Sequence, residues 1–134
     1  MLADPQGAPA IELVGLDKSF GPVHAVRGLD LTVEQGEIVA FLGPNGAGKT
    51  TTIDMMLGLS EPDAGNARVF GMDPRDAIGR GLVAAVMQTG GLLKDLTVEE
   101  TLRLTASLFA DTRPVGEVLE RAGIADIADR RVGK

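Results

Sequence analysis

The chain has 134 residues, a length that fits one domain and at most part of a second. Hydrophobic residues make up 44% of it and charged residues 24%, which is ordinary for a folded globular protein and excludes a wholly disordered chain. The net charge of −6 argues against a general attraction to nucleic acid or anionic lipid, and the absence of cysteine excludes disulfides, thiolate zinc sites and thiol nucleophiles.

The first third of the chain is predicted to be extended. Residues 1–10 carry neither the basic nor the apolar part of a signal peptide, so they are predicted to form a flexible arm. Extended segments follow at residues 11–16, 23–33 and 37–42, separated by turns that contain glycine. The last of these segments is almost continuously apolar, which predicts a central strand buried on both faces of an α/β sheet.

The middle of the chain is predicted to alternate between helices and strands. A glycine-rich turn leads into apolar residues at helical spacing, which predicts a helix that ends at Gly58. Residues 66–70 are predicted to form a short strand and residues 74–79 a helical turn. The apolar residues 82–87 are predicted to form a second buried strand, which ends at Gln88.

The last third of the chain is predicted to be helical. Thr97 and Glu100 form the pattern of a capping box, in which the hydroxyl and the carboxylate each bond an amide at the start of a helix. Residues 115–122 and 124–130 are predicted to form two shorter helices.

The residues from Gly43 to Thr50 match the phosphate-binding loop pattern of two glycines, a lysine and a hydroxyl residue. The loop follows a predicted strand and opens a predicted helix, which is the setting that this motif requires. Its amides and the positive helix end would hold a polyphosphate, Lys49 would bind the terminal phosphates, and Thr50 would coordinate Mg²⁺. The predicted nucleotide-contacting residues of the loop are Asn45, Gly46, Ala47, Gly48, Lys49, Thr50 and Thr51.

With these residues the chain resembles the ATP-binding domains of ABC transporters. Besides the phosphate loop, the resemblance is carried by short segments at fitting spacings, namely 18–21, 25–29, 35–38, 58–59, 62, 65, 71, 88 and 95–100. It covers residues 11–134 and implies an α/β fold with a P-loop NTPase (RecA-like) core. Residues 11–95 would form an N-terminal antiparallel β subdomain and the phosphate-loop core, and residues 96–134 the start of a helical subdomain.

The resemblance also implies roles for residues outside the loop. Phe20 takes the place of the aromatic residue that stacks on adenine, where the family usually has tyrosine, and base stacking tolerates any aromatic ring. Gln88 takes the place of the glutamine that approaches Mg²⁺ and the attacking water. The resemblance therefore predicts Lys49 and Gln88 as catalytic residues and Thr50 and Gln88 as metal ligands. From the residues alone, Phe20 is interpreted as a core residue and Gln88 as the polar end of a buried strand.

Several parts of the family's hydrolysis machinery do not occur in this sequence. They are the serine-glycine signature, an apolar strand that ends in Asp-Glu, and a later histidine. His24 precedes the phosphate loop and is predicted to be structural or solvent-facing. We therefore expect the chain to be an incomplete, N-terminal part of the domain, whose phosphate-loop strand has bare edges and whose stability is marginal. A complete family member would hydrolyse ATP, and whether this chain does so is left open.

The function that the resemblance implies is the binding of Mg-ATP by the ATP-binding subunit of an ABC transporter, of the drug- or lipid-exporter type. Such a subunit is cytoplasmic and lies on the inner face of the cell membrane through transmembrane permease subunits. It pairs with a second ATP-binding subunit around ATP, and nucleic acid is not an expected partner. Two alternatives stay open, a nucleotide-binding regulator that does not hydrolyse ATP and a non-membrane ABC ATPase that acts on DNA or ribosomes.

Overall fold

The computed structural model describes residues 7–44, 46, 48–86 and 91–133. The strands of this part are β1 (Ile11–Phe20), β2 (Val23–Val33) and β3 (Ala64–Val69). The helices are α1 (Lys49–Met56), α2 (Pro74–Gly79), α3 (Val98–Ala106) and α4 (Val115–Arg121), and a 3-10 turn follows at Ala125–Ile127. None of the described helices combines the length and the apolar character needed to cross a membrane.

The chain divides into two compact units, Met1–Ala84 and Ala85–Lys134. The predicted boundary between residues 95 and 96, and the predicted arm at residues 1–10, stay predictions. Most of that arm, residues 1–6, lies outside the described residues.

The first unit is built on an antiparallel sheet in the order β2-β1-β3. The first two predicted extended segments are strands and form an antiparallel hairpin, in which Ile11 pairs with Val33 at one end and Phe20 with Val23 at the other. β1 continues to Phe20, beyond the predicted end at residue 16, and its other edge pairs with β3. The hairpin therefore carries Phe20 at its tip.

One hydrophobic cluster of the first unit lies between this sheet and α1. It consists of the buried residues Leu13, Leu16, Val26, Met55 and Ala67. Side chains three positions apart in a regular strand point to opposite faces, yet Leu13 and Leu16 are both buried in this cluster. The register of β1 against β2 shifts between these two leucines, and such a bulge restores both side chains to one face.

The prediction of two buried strands at residues 37–42 and 82–87 is wrong for the described part of these segments. Residues 37–42 and 82–86 are not in a strand, and Ile38 and Val86 are completely exposed. Met87 lies outside the described residues. A strand is buried on both faces only when neighbouring strands and covering helices flank it, and none of the described strands pairs with either segment. Apolar composition alone therefore does not bury these residues.

The exposed apolar segment at residues 37–42 is expected to lower the solubility of the chain. Ile38→Lys is expected to raise the soluble, monomeric fraction of the chain and to leave the urea midpoint of unfolding unchanged, because the Ile38 side chain makes no part of the core. Sedimentation and urea unfolding monitored by circular dichroism provide the two measurements. Thr112→Lys, which adds the same charge at an exposed polar position, is the matched control. An equal gain in solubility from both variants would contradict the prediction.

The second unit contains the capping box predicted at the start of α3. The Thr97 hydroxyl accepts a hydrogen bond from the Glu100 amide at 3.1 Å, and the Glu100 carboxylate accepts one from the Thr97 amide at 2.8 Å. The predicted helix at residues 115–122 is also present, as α4.

The helix predicted at residues 124–130 is wrong, because the structure has only the 3-10 turn at Ala125–Ile127. The carbonyls of Ala128 and Arg130 instead accept hydrogen bonds from the Glu99 and Val98 amides, each at 3.0 Å. These two amides belong to the first turn of α3 and have no partner within that helix. Ala128 and Arg130 therefore accept hydrogen bonds from the first amides of α3 and do not form a regular helix.

Candidate nucleotide-binding site

The phosphate loop leads directly into α1. Two of its glycines, Gly46 and Gly48, have φ angles of 80°, a backbone conformation that residues with a Cβ atom rarely adopt. Gly48 is the N-cap of α1. Asn45 and Ala47 lie outside the described residues, and so does Gln88.

The N-terminus of α1 lacks a side-chain cap from the described residues. Its N-cap is a glycine, no acidic residue lies in its first turn, and no described side chain accepts a hydrogen bond from its first amides. By contrast, Asp73 caps α2 and Thr97 caps α3. The uncapped amides and the positive end of the helix macrodipole together favour an anion at this position.

The Lys49 ammonium lies over the beginning of the loop. Its Nζ atom donates hydrogen bonds to the main-chain carbonyls of Gly43 and Pro44, the latter at 2.8 Å. Among the residues that the structure describes, no carboxylate forms an ion pair with Lys49. Within the described residues, the Lys49 ammonium is therefore held by main-chain carbonyls and not by an acidic side chain.

The three threonines after Lys49 differ in exposure. Thr50 is exposed, Thr51 is half-buried, and Thr52 is buried with 1% of its surface exposed. The Thr52 hydroxyl donates a hydrogen bond to the Gly48 carbonyl at 2.9 Å, which satisfies a polar group in the core. Thr50 and Thr51 are thus available to a ligand, while Thr52 supports the loop. Thr52 was not predicted from the sequence to have a role, and its burial in the structure identifies it as a support of the loop.

The loop approaches the backbone of β2 closely at Gly48. A Cβ atom on Gly48 would lie 2.1 Å from the Ala25 carbonyl oxygen and 3.1 Å from the Val26 side chain. Real Cβ atoms do not make contacts as short as the first of these. Glycine is therefore required at this position for packing as well as for backbone conformation.

An open cleft of about 430 Å³ lies beside the loop. Its lining combines residues of β2, of the segment before the loop, of the loop and of α1, namely His24, Ala25, Val26, Arg27, Leu29, Phe41, Gly46 and Thr52. Among the described residues, no group of three histidines or acidic residues is placed to hold a metal ion by itself. The cleft is thus a space bordered by the phosphate loop rather than a preformed metal site.

Phe20 lies at the end of the hairpin, a short distance along the strands from the part of β2 that this loop approaches. Phe20 pairs with Val23, and Ala25, which Gly48 approaches, lies two residues further along β2. Two residues of a strand span about 7 Å. The Phe20 side chain is 53% exposed, so the structure leaves its ring available for stacking and does not place it in the core.

Two aspartates around the hairpin were not singled out from the sequence. Asp17 accepts hydrogen bonds from His24 Nε2 at 2.5 Å and from the Gly28 amide at 3.0 Å. Asp63 accepts hydrogen bonds from Lys18 Nζ at 2.9 Å and from the Ser19 amide at 2.7 Å. His24 is partly exposed and bonded to Asp17, in keeping with the structural or solvent-facing position predicted for it.

The Lys18 ammonium and the Ser19 amide hold the pKa of the Asp63 carboxyl below its ordinary value. A carboxyl with a lowered pKa stabilises the folded state above its unfolded pKa, and this contribution is lost as the pH falls through the folded value. Asp63→Asn is therefore expected to lower the urea midpoint at pH 7, and the difference from the unmodified chain is expected to shrink below about pH 4.

The measurement for Asp63→Asn is a series of urea unfolding curves between pH 7 and pH 3. Asp111→Asn is the matched control, because the Asp111 carboxylate has no partner among the described residues. A difference between Asp63→Asn and the unmodified chain that does not change with pH would contradict the prediction.

Comparison with known proteins gives the family. The family model described as ABC transporter matches residues 26–134. The chain is 42% identical over 132 residues to Nod factor export ATP-binding protein I of Rhizobium sp. (strain N33), a match that covers 93% of this chain and 43% of that protein. It is 35% identical over 130 residues to bacitracin transport ATP-binding protein BcrA of Bacillus licheniformis, with coverages of 92% and 42%.

Solved structures agree with this assignment. The structure of an ATP-binding subunit of an ABC transporter superposes with a TM-score of 0.78 at 29% identity, covering 91% of this chain and 54% of that one. A nucleotide-free ATP-binding cassette from an ABC transporter superposes with a TM-score of 0.72 at 21% identity, covering 94% and 58%, and shows the shared fold.

The chain belongs to the ABC transporter family and has part of the fold of its ATP-binding domains. The predicted class, an α/β domain of the P-loop NTPase kind with an antiparallel β portion, is confirmed by these structural neighbours. The chain spans less than half the length of the two curated relatives described above.

Proposed function

We propose that this chain binds Mg-ATP as the ATP-binding subunit of an ABC transporter. One observation carries the proposal: α1 begins with uncapped amides beside an ammonium, that of Lys49, which no described carboxylate neutralises. Fixed amides and an unpaired cation at a helix N-terminus match the charge and the hydrogen-bonding needs of a polyphosphate. The residues present therefore fit the predicted ligand.

Each described residue of the site has a role in this proposal. Lys49 would leave the two loop carbonyls and bind the terminal phosphates, while the first-turn amides of α1 and the Thr51 hydroxyl donate hydrogen bonds to phosphate oxygens. The exposed Thr50 hydroxyl would be a ligand of Mg²⁺, which when bound neutralises negative charge on the phosphates. Phe20 would stack on the base. Asn45, Ala47 and Gln88 keep their predicted roles, the first two in phosphate binding and Gln88 as a catalytic residue and metal ligand.

The proposed partners follow from the family and from its relatives. The names of the two relatives refer to export and to transport, and both are ATP-binding proteins. We therefore propose that this chain acts in the cytoplasm on the inner face of the cell membrane, with transmembrane permease subunits and a second ATP-binding subunit as its partners. An exporter of drugs or lipids is the proposed type, and hydrolysis of ATP is the proposed activity of the assembled transporter.

Titration calorimetry tests the nucleotide-binding part of this proposal. Mg-ATP is expected to bind to a single site and to bind more tightly than Mg-ADP, and AMP is expected to bind much more weakly because it lacks the phosphates that Lys49 and the α1 amides would hold. Equal affinities for ATP and AMP, or no binding of ATP, would contradict the proposal.

A further inference from the structure

The side chain of Lys18 contacts the ring of Phe20. The Lys18 Nζ atom lies 5.6 Å from the centre of that ring, within the distance at which a cation is attracted to an aromatic face. Lys18 is largely buried, with 16% of its side chain exposed, whereas Phe20 keeps 53% of its surface exposed. The lysine thus supports the ring and leaves much of the ring surface open.

Asp63 is hydrogen-bonded to the end of β1. Its amide donates a hydrogen bond to the Asp17 carbonyl at 2.9 Å, and its carboxylate accepts hydrogen bonds from Lys18 Nζ and from the Ser19 amide. Three consecutive residues that immediately precede Phe20 are therefore tied to one residue of the segment before β3. This arrangement restricts both the backbone that carries the ring and the cation beneath it.

We infer that Lys18 and Asp63 are positioning residues for the nucleotide base, because they hold the Phe20 ring in the orientation that stacks. The inference rests on the proposed function, since it assigns a role within the same ATP site. The Asp63 carboxylate fixes the Lys18 ammonium, the ammonium supports the ring, and the ring is ordered before the base arrives. A side chain that is ordered in advance loses less conformational freedom on binding, which raises affinity.

The position of Lys18 argues against a direct role in phosphate binding. Its ammonium is already engaged by the Asp63 carboxylate at 2.9 Å and by the Phe20 ring, so its charge is compensated, unlike that of Lys49. Loss of Lys18 should therefore weaken the binding of a ligand that carries a base and leave a base-free polyphosphate unaffected.

The experiment compares Mg-ATP with inorganic tripolyphosphate as ligands, both measured by titration calorimetry. Phe20→Leu is expected to weaken ATP binding about five- to 150-fold, and Lys18→Met to weaken it about three- to tenfold. Neither variant should change the affinity for tripolyphosphate. Lys18→Arg, which keeps a cation able to lie over the ring, should bind ATP as tightly as the unmodified chain does.

Further variants distinguish a role in positioning the Phe20 ring from the effect of removing a positive charge or of unfolding the chain. In a Phe20→Leu background, Lys18→Met is expected to have no additional effect, because the ring that the lysine supports is gone. Asp63→Asn should reproduce the weaker ATP binding of Lys18→Met. Arg80→Met removes a positive charge from a side chain without a polar partner in the described part of the chain, and it should leave both affinities unchanged.

The possible failures are distinguishable. If the unmodified chain binds neither ATP nor tripolyphosphate, the proposed function fails, and this inference fails with it. If Phe20→Leu weakens ATP binding but Lys18→Met does not, only the positioning role is overturned. An equal loss for ATP and tripolyphosphate in Lys18→Met, or the same loss with and without the Phe20 ring, would also overturn it. Circular dichroism of each variant shows whether it is folded. If Lys18→Met is unfolded, the affinity of Lys18→Arg for ATP still tests the inference.

Discussion

Lys49→Ala is expected to weaken Mg-ATP binding about 10- to 100-fold, the largest effect on affinity that we expect from removing one side-chain contact to the phosphates. The lysine is the charged donor of the site, and a hydrogen bond to a charged group contributes about 1.5–3 kcal/mol. In the structure its ammonium is bonded to two carbonyls of the loop and to no described carboxylate. When Mg-ATP binds, the Lys49 ammonium would exchange these neutral partners for charged phosphate oxygens. Its charge would therefore strengthen the nucleotide complex more than the nucleotide-free loop.

The measurement for Lys49→Ala must separate nucleotide binding from support of the loop. Titration calorimetry gives the affinity for Mg-ATP, and urea unfolding without nucleotide gives the stability. Lys49→Met keeps most of the apolar stem and is expected to show the same loss of affinity as the alanine variant. Unchanged ATP affinity in Lys49→Ala would contradict the assignment of this residue.

Gly48→Ala is expected to destabilise the nucleotide-free chain by about 2–5 kcal/mol. The left-handed conformation costs a residue with a Cβ atom about 1–2 kcal/mol, and overpacking of a close contact costs about 1–3 kcal/mol. The added Cβ would lie 2.1 Å from the Ala25 carbonyl oxygen. That carbonyl belongs to β2, whose next residue, Val26, pairs with Lys18 of β1, so it cannot retreat without disturbing the sheet.

Gly46→Ala is the matched control for this prediction. Gly46 has the same φ of 80°, but a Cβ atom there would meet no atom of the described residues within 4 Å. Its substitution is therefore expected to cost only the conformational part, about 1–2 kcal/mol. Urea unfolding curves of the two variants give the comparison, and equal destabilisation would show that the close approach to β2 makes no contribution.

The parts of the fold and of the site that were predicted from the sequence depend on residues close together in the chain. The phosphate loop is a run of adjacent residues that leads into a helix, and the capping box joins Thr97 to Glu100. Their hydrogen bonds close within a few residues, so the order of residue types is sufficient to indicate them. Phe20 was assigned to the site only through the family resemblance, because nothing in its immediate neighbours distinguishes a stacking ring from a core residue.

The parts that were missed depend on residues far apart in the chain. Asp63 bonds residues 44 and 45 positions away, and Thr52 became recognisable as a support of the loop only through its burial. No local pattern specifies which aspartate reaches the end of β1. Similarly, the bulge that places Leu13 and Leu16 on one face is visible only when β1 is paired with β2.

By itself, the sequence determined the phosphate loop, the extended segment at residues 23–33, the capped helix α3 and the family, because each depends on the local order of residue types or on their spacing. Only the tertiary structure decided that residues 37–42 and 82–86 are exposed, that Gly48 lies against Ala25, and that Asp63 and Lys18 support Phe20. Burial and long-range contacts depend on which segments are available to pack together, and the apolar character of a segment does not reveal whether a partner lies beside it.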